Sequence, residues 1–305
     1  MSTYKVKFLG TKGYEGLESG WYGDCILIYN NNKMIVYDCG SEQHAYKVLE
    51  IMENDGINEI DIILSHNDRD HFNGIPALIE SGKVRNVFTT LLLKYVDEIL
   101  DRLDDNKRKR EPTKERILKL YSNIAKLSGA NLKDIYLDSD ELPEGITFIG
   151  PNEDAMLDAV VTAIEEMDIT VAEGSETLVN ATSLQLGVNL ENGKKLLLLA
   201  DAAVENITCD LDAYDKIQLP HHGKLTSAET IFNRIDKNNL AYKEFIVSDN
   251  TGTSSGGSDA LMASDAHRGK VIIKSTTTGT VELKQAVFSS RTIARDSNRG
   301  ICGDV

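Results

Sequence analysis

No apolar stretch in this chain approaches the ~20 residues that a bilayer-spanning helix needs. The opening residues, MSTYKVKFLG, lack the basic-then-apolar layout of a secretion signal, so the expected location is the cytoplasm, with no membrane partner. Cysteine is scarce. Cys25, Cys39, Cys209 and Cys302 form no C-x-x-C pair, and three of them sit in or beside apolar segments. A disulfide framework is therefore excluded, and buried free thiols are expected. Positive charge is also short, with 33 Lys and Arg against 48 Asp and Glu and a net charge of −15. Loose attraction to nucleic acid or anionic membrane is disfavoured, although a local basic groove remains open.

What is present is an ordinary globular composition, 41% hydrophobic and 27% charged, over 305 residues. Alternation at 4–9 reads as a strand, and the Gly-rich stretch 10–23 as a loop. DCILIYN and KMIVYDCG flank the Asn-rich turn Asn30–Asn32 and read as a hairpin. Ala45, Val48, Leu49 and Met52 mark an amphipathic helix over 44–54, with His44 as its unremarkable opening residue. A strand at 60–64, a short helix at 75–81 and a strand at 84–88 follow.

From about 94 to 128 the chain turns helical and heavily charged. KYVDEILDRLDD is expected as one helix, and TKERILKLYSNIAKL as another with Ile117, Leu118, Leu120, Tyr121, Ile124 and Leu127 on one side. Strands are expected at 133–137 and 146–149, and a helix at 153–167. A second hairpin, SLQLGVNL and KLLLLAD, turns at Glu191–Gly193. A helix at 227–236, strands at 244–248 and 271–273, and alternation at 280–288 close the pattern. Each half gives strands and then helices. That predicts two packed sheets flanked by helices, both presenting residues at one edge.

The stretch Ile62–Gly74, IILSHNDRDHFNG, carries the chemistry. An apolar strand ends abruptly in His66, Asp68, Asp70 and His71, and charges beside a core strand need partners. Imidazole and carboxylate together suit zinc, manganese or iron, so H-x-D-x-D-H-x-x-G reads as half of a metal site. Asp201 and the pair His221–His222 also follow apolar strands. If those strand ends meet, the set nearly suffices for two metals, which together can hold a hydroxide nucleophile and stabilise a leaving oxyanion.

These phrases resemble the metallo-β-lactamase superfamily, whose usual signature is H-x-H-x-D-H. The form with Asp in the second position, H-x-D-x-D-H, is similar to the hydrolase domain of ComEC-type DNA-uptake proteins and their stand-alone relatives. GWYGDCILIYNNNKMIVYDCGS resembles that subfamily's G-Q-G-D-A-x-L-I…L-I-D-x-G opening. VNATSLQLGVNLENGKKLLLLADA resembles N-x-x-S-L-V-L-x-L…F-L-L-T-G-D-A, and IQLPHHGKLTS resembles L-K-x-P-H-H-G-S-x-x-S. The resemblance spans about residues 4–285.

It implies an α/β, αββα four-layer sandwich over residues 1–288, with a charged helical insertion around 94–128 and a C-terminal tail at 289–305. It implies His66, Asp68, Asp70, His71, Asp201 and His222 as ligands of zinc (or manganese), two ions per chain, with Asp201 bridging. Asp70, His222 and His221 are the candidates for catalysis, His222 as ligand or general acid. Asp38 is implied to orient a ligand histidine from behind. Asn180 and Ser183 fall where many superfamily members carry a further histidine. Lys224, beside the metal motif, would pair with a phosphate or a metal-bound carboxylate.

The chain departs from the subfamily in three places. Ala200-Asp201-Ala202 replaces G-D-A, and Lys224 replaces the serine after H-H-G. The last-motif histidine is missing from VSDNTGTSSGGSDAL, with His267 the one downstream candidate. The second metal position is thus open.

The implied activity is metal-dependent hydrolysis by a metal-bound hydroxide, with a phosphodiester, DNA foremost, as substrate. A small ester, lactone or cyclic nucleotide is the alternative substrate, and a partner-binding module with weakened catalysis is the alternative class. A partner protein that delivers or gates the substrate fits either. The basic run Lys107–Lys119, with Lys107, Arg108, Lys109 and Arg110 at its head, is either a solvated helix face or a contact to the phosphate backbone.

Overall fold

The computed structural model describes residues 2–10, 23–30, 33–103, 110–120, 124, 127, 129–166, 180–248, 257–267 and 270–283. Among the described residues, thirteen strands run in chain order: β1 Lys5–Phe8, β2 Cys25–Tyr29, β3 Met34–Cys39, β4 Ile60–Ile63, β5 Val84–Thr89, β6 Leu132–Asp134, β7 Ile146–Gly150, β8 Gln185–Asn189, β9 Lys195–Leu198, β10 Lys216–Gln218, β11 Glu244–Val247, β12 Ile272–Ser275 and β13 Val281–Leu283. The helices are α1 Glu42–Asp55, α2 Arg69–Phe72, α3 Ile75–Glu80, α4 Val96–Arg102, α5 Arg110–Leu120, α6 Glu153–Glu166, α7 Leu225–Arg234, α8 Lys237–Leu240 and α9 Asp259–Ala263.

One sheet has the order β13-β1-β2-β3-β4-β5-β6 and the other β12-β11-β10-β9-β8-β7. Both follow the same plan. An antiparallel hairpin, β2–β3 or β8–β9, is extended by three strands parallel to its second arm. Parallel strands present their carboxyl ends at one edge, so the loops after β3, β4, β9, β10 and β11 gather there. This is the two-half pattern legible in the sequence.

Alternation along the strands separates the layers. On β2, Ile26 and Ile28 enter the core between the sheets, with Phe8, Tyr37, Ile63, Leu186, Val188, Leu198 and Ile246. Cys25 and Leu27 face the other way, onto the apolar sides of α1 and α3. Ile231 and Phe232 of α7 cover the second sheet's outer face. The αββα four-layer sandwich expected from the sequence is the architecture observed. Cys25 and Cys39 are buried free thiols and Cys209 a partly buried one; Cys302 lies outside the described residues.

The insertion departs in detail. KYVDEILDRLDD is not one helix: a 3₁₀ turn at Leu92–Tyr95 precedes α4, which ends as Leu103 turns to extended backbone. The second helix begins three residues earlier than expected, at Arg110. Leu118 is exposed rather than on the packed side, whereas Ile117 and Leu127 are buried. Among the described residues, the insertion shares its core with α6. Leu92, Val96, Ile99 and Ile117 pack against Met156, Leu157, Val160 and Ile164 of α6. No described helix is long and apolar enough to cross a membrane. The stretch 11–22, the basic residues Lys107, Arg108 and Lys109, the Arg110 side chain and the tail 289–305 lie outside the described residues.

Candidate metal centre

The gathered strand ends bring His66, His71, Asp201 and His222 together, with Asp68 and Asp70 beside them. Among the described residues, two groupings of metal-ligating atoms lie within 4.8 Å: His66, His71 and Asp201, and Asp24, His71 and His222, all buried. The rings of His66 and His71 are 4.1 Å apart and those of His71 and His222 5.5 Å.

The backbone bends sharply to do this. The non-glycine residues with positive φ among those described are Asp38, Ala200, His221 and His222, all at this edge. Such angles strain an L-residue and persist where the surroundings fix them. Gly23 and Gly40 admit the backbone of α2: a Cβ on either would fall 1.9 Å from the Asp70 carbonyl oxygen. The Asp24 N–H donates to that same oxygen at 2.8 Å.

Proton bookkeeping sets the histidine tautomers. Asp38 accepts from the Ser65 N–H at 2.7 Å, the Ser65 hydroxyl at 2.6 Å and His71 Nδ1 at 2.8 Å. Because the Ser65 hydroxyl proton is committed to Asp38, His66 Nδ1, 2.9 Å from that oxygen, must donate to it. His222 Nδ1 faces the Ser248 carbonyl at 2.8 Å and donates likewise. Each ring therefore spends Nδ1 outward and turns Nε2 inward. His66 Nε2, His71 Nε2 and Asp201 Oδ1 are buried without a hydrogen-bond partner. Buried polar atoms left unsatisfied are costly. A convergent set of imidazole nitrogens and a carboxylate oxygen is what a zinc or manganese ion takes, so the donor set fits a divalent metal.

The charges agree. Burial alone would push His71 and His222 down, but Asp201 with Asp38 drives His71 well above the usual histidine range, and Asp201 with Asp24 and Asp70 does the same to His222. Burial would raise Asp201 and Asp70, yet the facing histidines hold both carboxyls below the ordinary range. His66 is pushed down to about 4 by burial and by His71. Carboxylates and imidazoles thus face one another across the site. His222 Nε2 lies 3.1 Å from Asp70 Oδ2 and 3.5 Å from Asp201 Oδ2, and His71 Nε2 lies 3.5 Å from Asp201 Oδ1.

The remaining candidates divide. Asp68 and Asp70 keep about a third of their side chains exposed, Asp68 Oδ2 being 3.8 Å from His66 Nε2. His221 is buried, its ring 6.3 Å from that of His222, and it is in neither metal grouping. Asn180 and Ser183 are buried near the site, where Leu184 N–H donates to the Ser65 carbonyl across the sheets. Lys224 is partly exposed at the head of α7. His267 does not fill the place of the absent histidine: it packs on Phe232 and pairs with Glu229 at 3.4 Å. His44 is buried and lowered to about 4 by burial.

Sequence reasoning missed Asp24, Gln218 and Ser248. The one local signal was the Gly23-Asp24 step heading β2. The rest depends on pairing residues some two hundred positions apart.

The family model of the metallo-beta-lactamase superfamily matches residues 19–115, which takes in Asp24, Asp38 and the 66–71 phrase and stops short of Asp201 and His222. No curated protein sequence matches the chain. Among solved structures, the chain is similar to the metallo-beta-lactamase fold protein YhfI from Bacillus subtilis, at 13% identity over 92% of this chain and 100% of that one, with a TM-score of 0.46. It is similar to MEM-A1, a subclass B3 metallo-beta-lactamase from a soil metagenome library, at 13% identity over 88% and 85% of the two chains and a TM-score of 0.36. Human tRNase Z, short form, matches at 14% identity over 88% and 96%, with a TM-score of 0.37. The two-sheet α/β architecture and the superfamily match agree.

Proposed function

We propose that this chain is a metal-dependent hydrolase of phosphodiesters, with DNA as the leading substrate. The observation that carries the reading is the convergence of His66 Nε2, His71 Nε2 and Asp201 Oδ1, buried and without hydrogen-bond partners. The superfamily match at 19–115 and the ordered resemblance to ComEC-type domains support hydrolysis and the choice of a phosphodiester.

His66, His71, Asp201, His222 and Asp70 would hold the metal, with Asp68 at its margin. Divalent ions there supply Lewis acidity toward a phosphoryl oxygen and activation of the attacking water. The chain's own residues do the rest. Asp38, with Ser65, locks the tautomers of His71 and His66. Asp70, held as a carboxylate and a third exposed, is the group at the mouth of the site that can take up a proton from water. His222 has Nδ1 committed to Ser248, so Nε2 alone is available, and it can serve as ligand or as proton donor but not both at once.

Cleavage of linear and circular DNA in added Mn²⁺ or Zn²⁺, for wild type and Asp70→Ala, tests this. Cleavage by the wild type that vanishes in the variant is the expected result. Metal binding without DNA cleavage, combined with turnover of a small ester or cyclic nucleotide, would refute the DNA assignment.

A further inference from the structure

Asp24, a residue 1% exposed, heads β2; it shares one grouping with His71 and His222, and the hydrolytic scheme gives it no role. Its Oδ2 accepts from Gln218 Nε2 at 3.0 Å and from the Ser248 hydroxyl at 2.7 Å. Its Oδ1 has no hydrogen-bond partner within the usual limits and lies 3.4 Å from His222 Nδ1. A buried carboxylate so placed is costly unless it faces a positive or polarised group, and the His222 N–H is that group.

Gln218 is held so that it cannot turn. Its Oε1 accepts from both the Leu199 and Ala200 N–H groups at 2.9 Å, and its Nε2 donates to Asp24 and, at 3.0 Å, to Ser248. All four hydrogen-bonding positions of the amide are used, which fixes which end is oxygen. The same amide therefore pins the strained turn before Asp201 and the carboxylate behind His222.

We infer that Asp24 is a positioning residue for His222: its Oδ1 lies 3.4 Å from the Nδ1 that donates to the Ser248 carbonyl, a longer-range counterpart of the direct Asp38–His71 bond, with Gln218 and Ser248 holding it in place. The inference rests on reading the cluster as a metal centre. Two carboxylates at the strand ends of one hairpin would then each back one ligand histidine. Groups behind metal-bound histidines fix ring orientation and basicity, and their loss costs roughly 10–100-fold in metal affinity.

The test is zinc titration of the full chain against a chromophoric chelator, for wild type, Asp24→Asn, His222→Ala and His66→Ala, with nitrogen NMR of the His222 ring in metal-free protein. Asp24→Asn should weaken, by roughly 10–100-fold, the zinc equivalent that His222→Ala removes. It should spare the equivalent that His66→Ala removes, and the His222 nitrogen signals should leave the single-tautomer pattern. Wild-type affinity with unchanged His222 signals in Asp24→Asn would overturn the inference. So would equal weakening of both equivalents with a lowered melting temperature, which marks a merely structural role. Should Asp24→Asn fail to fold, Ser248→Ala removes one hydrogen bond to Asp24 and should weaken the same equivalent to a lesser degree; no change there would also overturn it. A wild type that binds no zinc would instead bring down the metal-centre reading itself.

Discussion

Each of the three clustered histidines has one nitrogen spent and one to give, and the chemistry of the site follows from that division. Because metal-free His71 and His222 are raised well above 6.5, both are protonated near neutrality and must release protons to a metal. Calorimetry in buffers of different ionisation enthalpy should show proton release that declines as pH rises.

The same shifts set stability against pH for the chelator-treated protein. His44 and His66 are lowered to about 4, so from about pH 6.5 down to about 4 the unfolded chain binds more protons and stability falls with acid. His71 and His222 contribute fully below about 6.5, and that contribution is lost as pH rises toward their raised values. Metal-free stability should thus peak near pH 6.5 in denaturant melts, and zinc should remove the alkaline decline. A flat profile above pH 7 without metal would show that the carboxylates do not hold these imidazoliums. Asp38→Asn should lower metal affinity roughly 10–100-fold in the same zinc titration, since it releases His71.

At the scale of elements, the site is built where parallel strands end. The phrase at 66–71 was legible because four ligand-type residues follow one apolar strand within a few positions. Asp201 and His222 were legible because each also terminates a strand. Asp24 and Gln218 were not, because no local pattern says that the head of β2 will meet the end of β10. Leu118 misled for a related reason: a helix at the margin of the sandwich buries a narrower stripe than its apolar pattern offers. The placing of α6 under the insertion was hidden because a helix pattern names an apolar face and not its partner.

The glycines at this edge give an element-scale prediction. Gly40→Ala sets a Cβ against the Asp70 carbonyl and should cost about 1–3 kcal/mol or more, with loss of metal binding, in paired melts and zinc titrations. Gly56→Ala, at the left-handed cap of α1 with open space around it, should cost about 1 kcal/mol and leave metal binding intact. Equal effects of the two on metal binding would contradict the close approach of α2.

For the whole molecule, a net charge of −15 opposes a polyanionic substrate, so any DNA contact must be local. The run at Lys107–Arg110 is the basic segment the sequence offers. If those four side chains meet phosphates, the salt slope of DNA affinity should flatten by roughly three to four when they are changed to alanine, at about 0.9 per contact. An unchanged slope would assign the run to a solvated surface.

The measurement that bears most directly on the central claim is the metal content of wild type and Asp201→Asn by elemental analysis after equilibration with zinc and removal of free ions. Asp201 is the carboxylate that both His71 and His222 face, at 3.5 Å each. The account predicts one to two zinc ions per wild-type chain and a marked loss in the variant with the fold retained. A wild type that holds no zinc or manganese, or a variant that holds as much as the wild type, would contradict it.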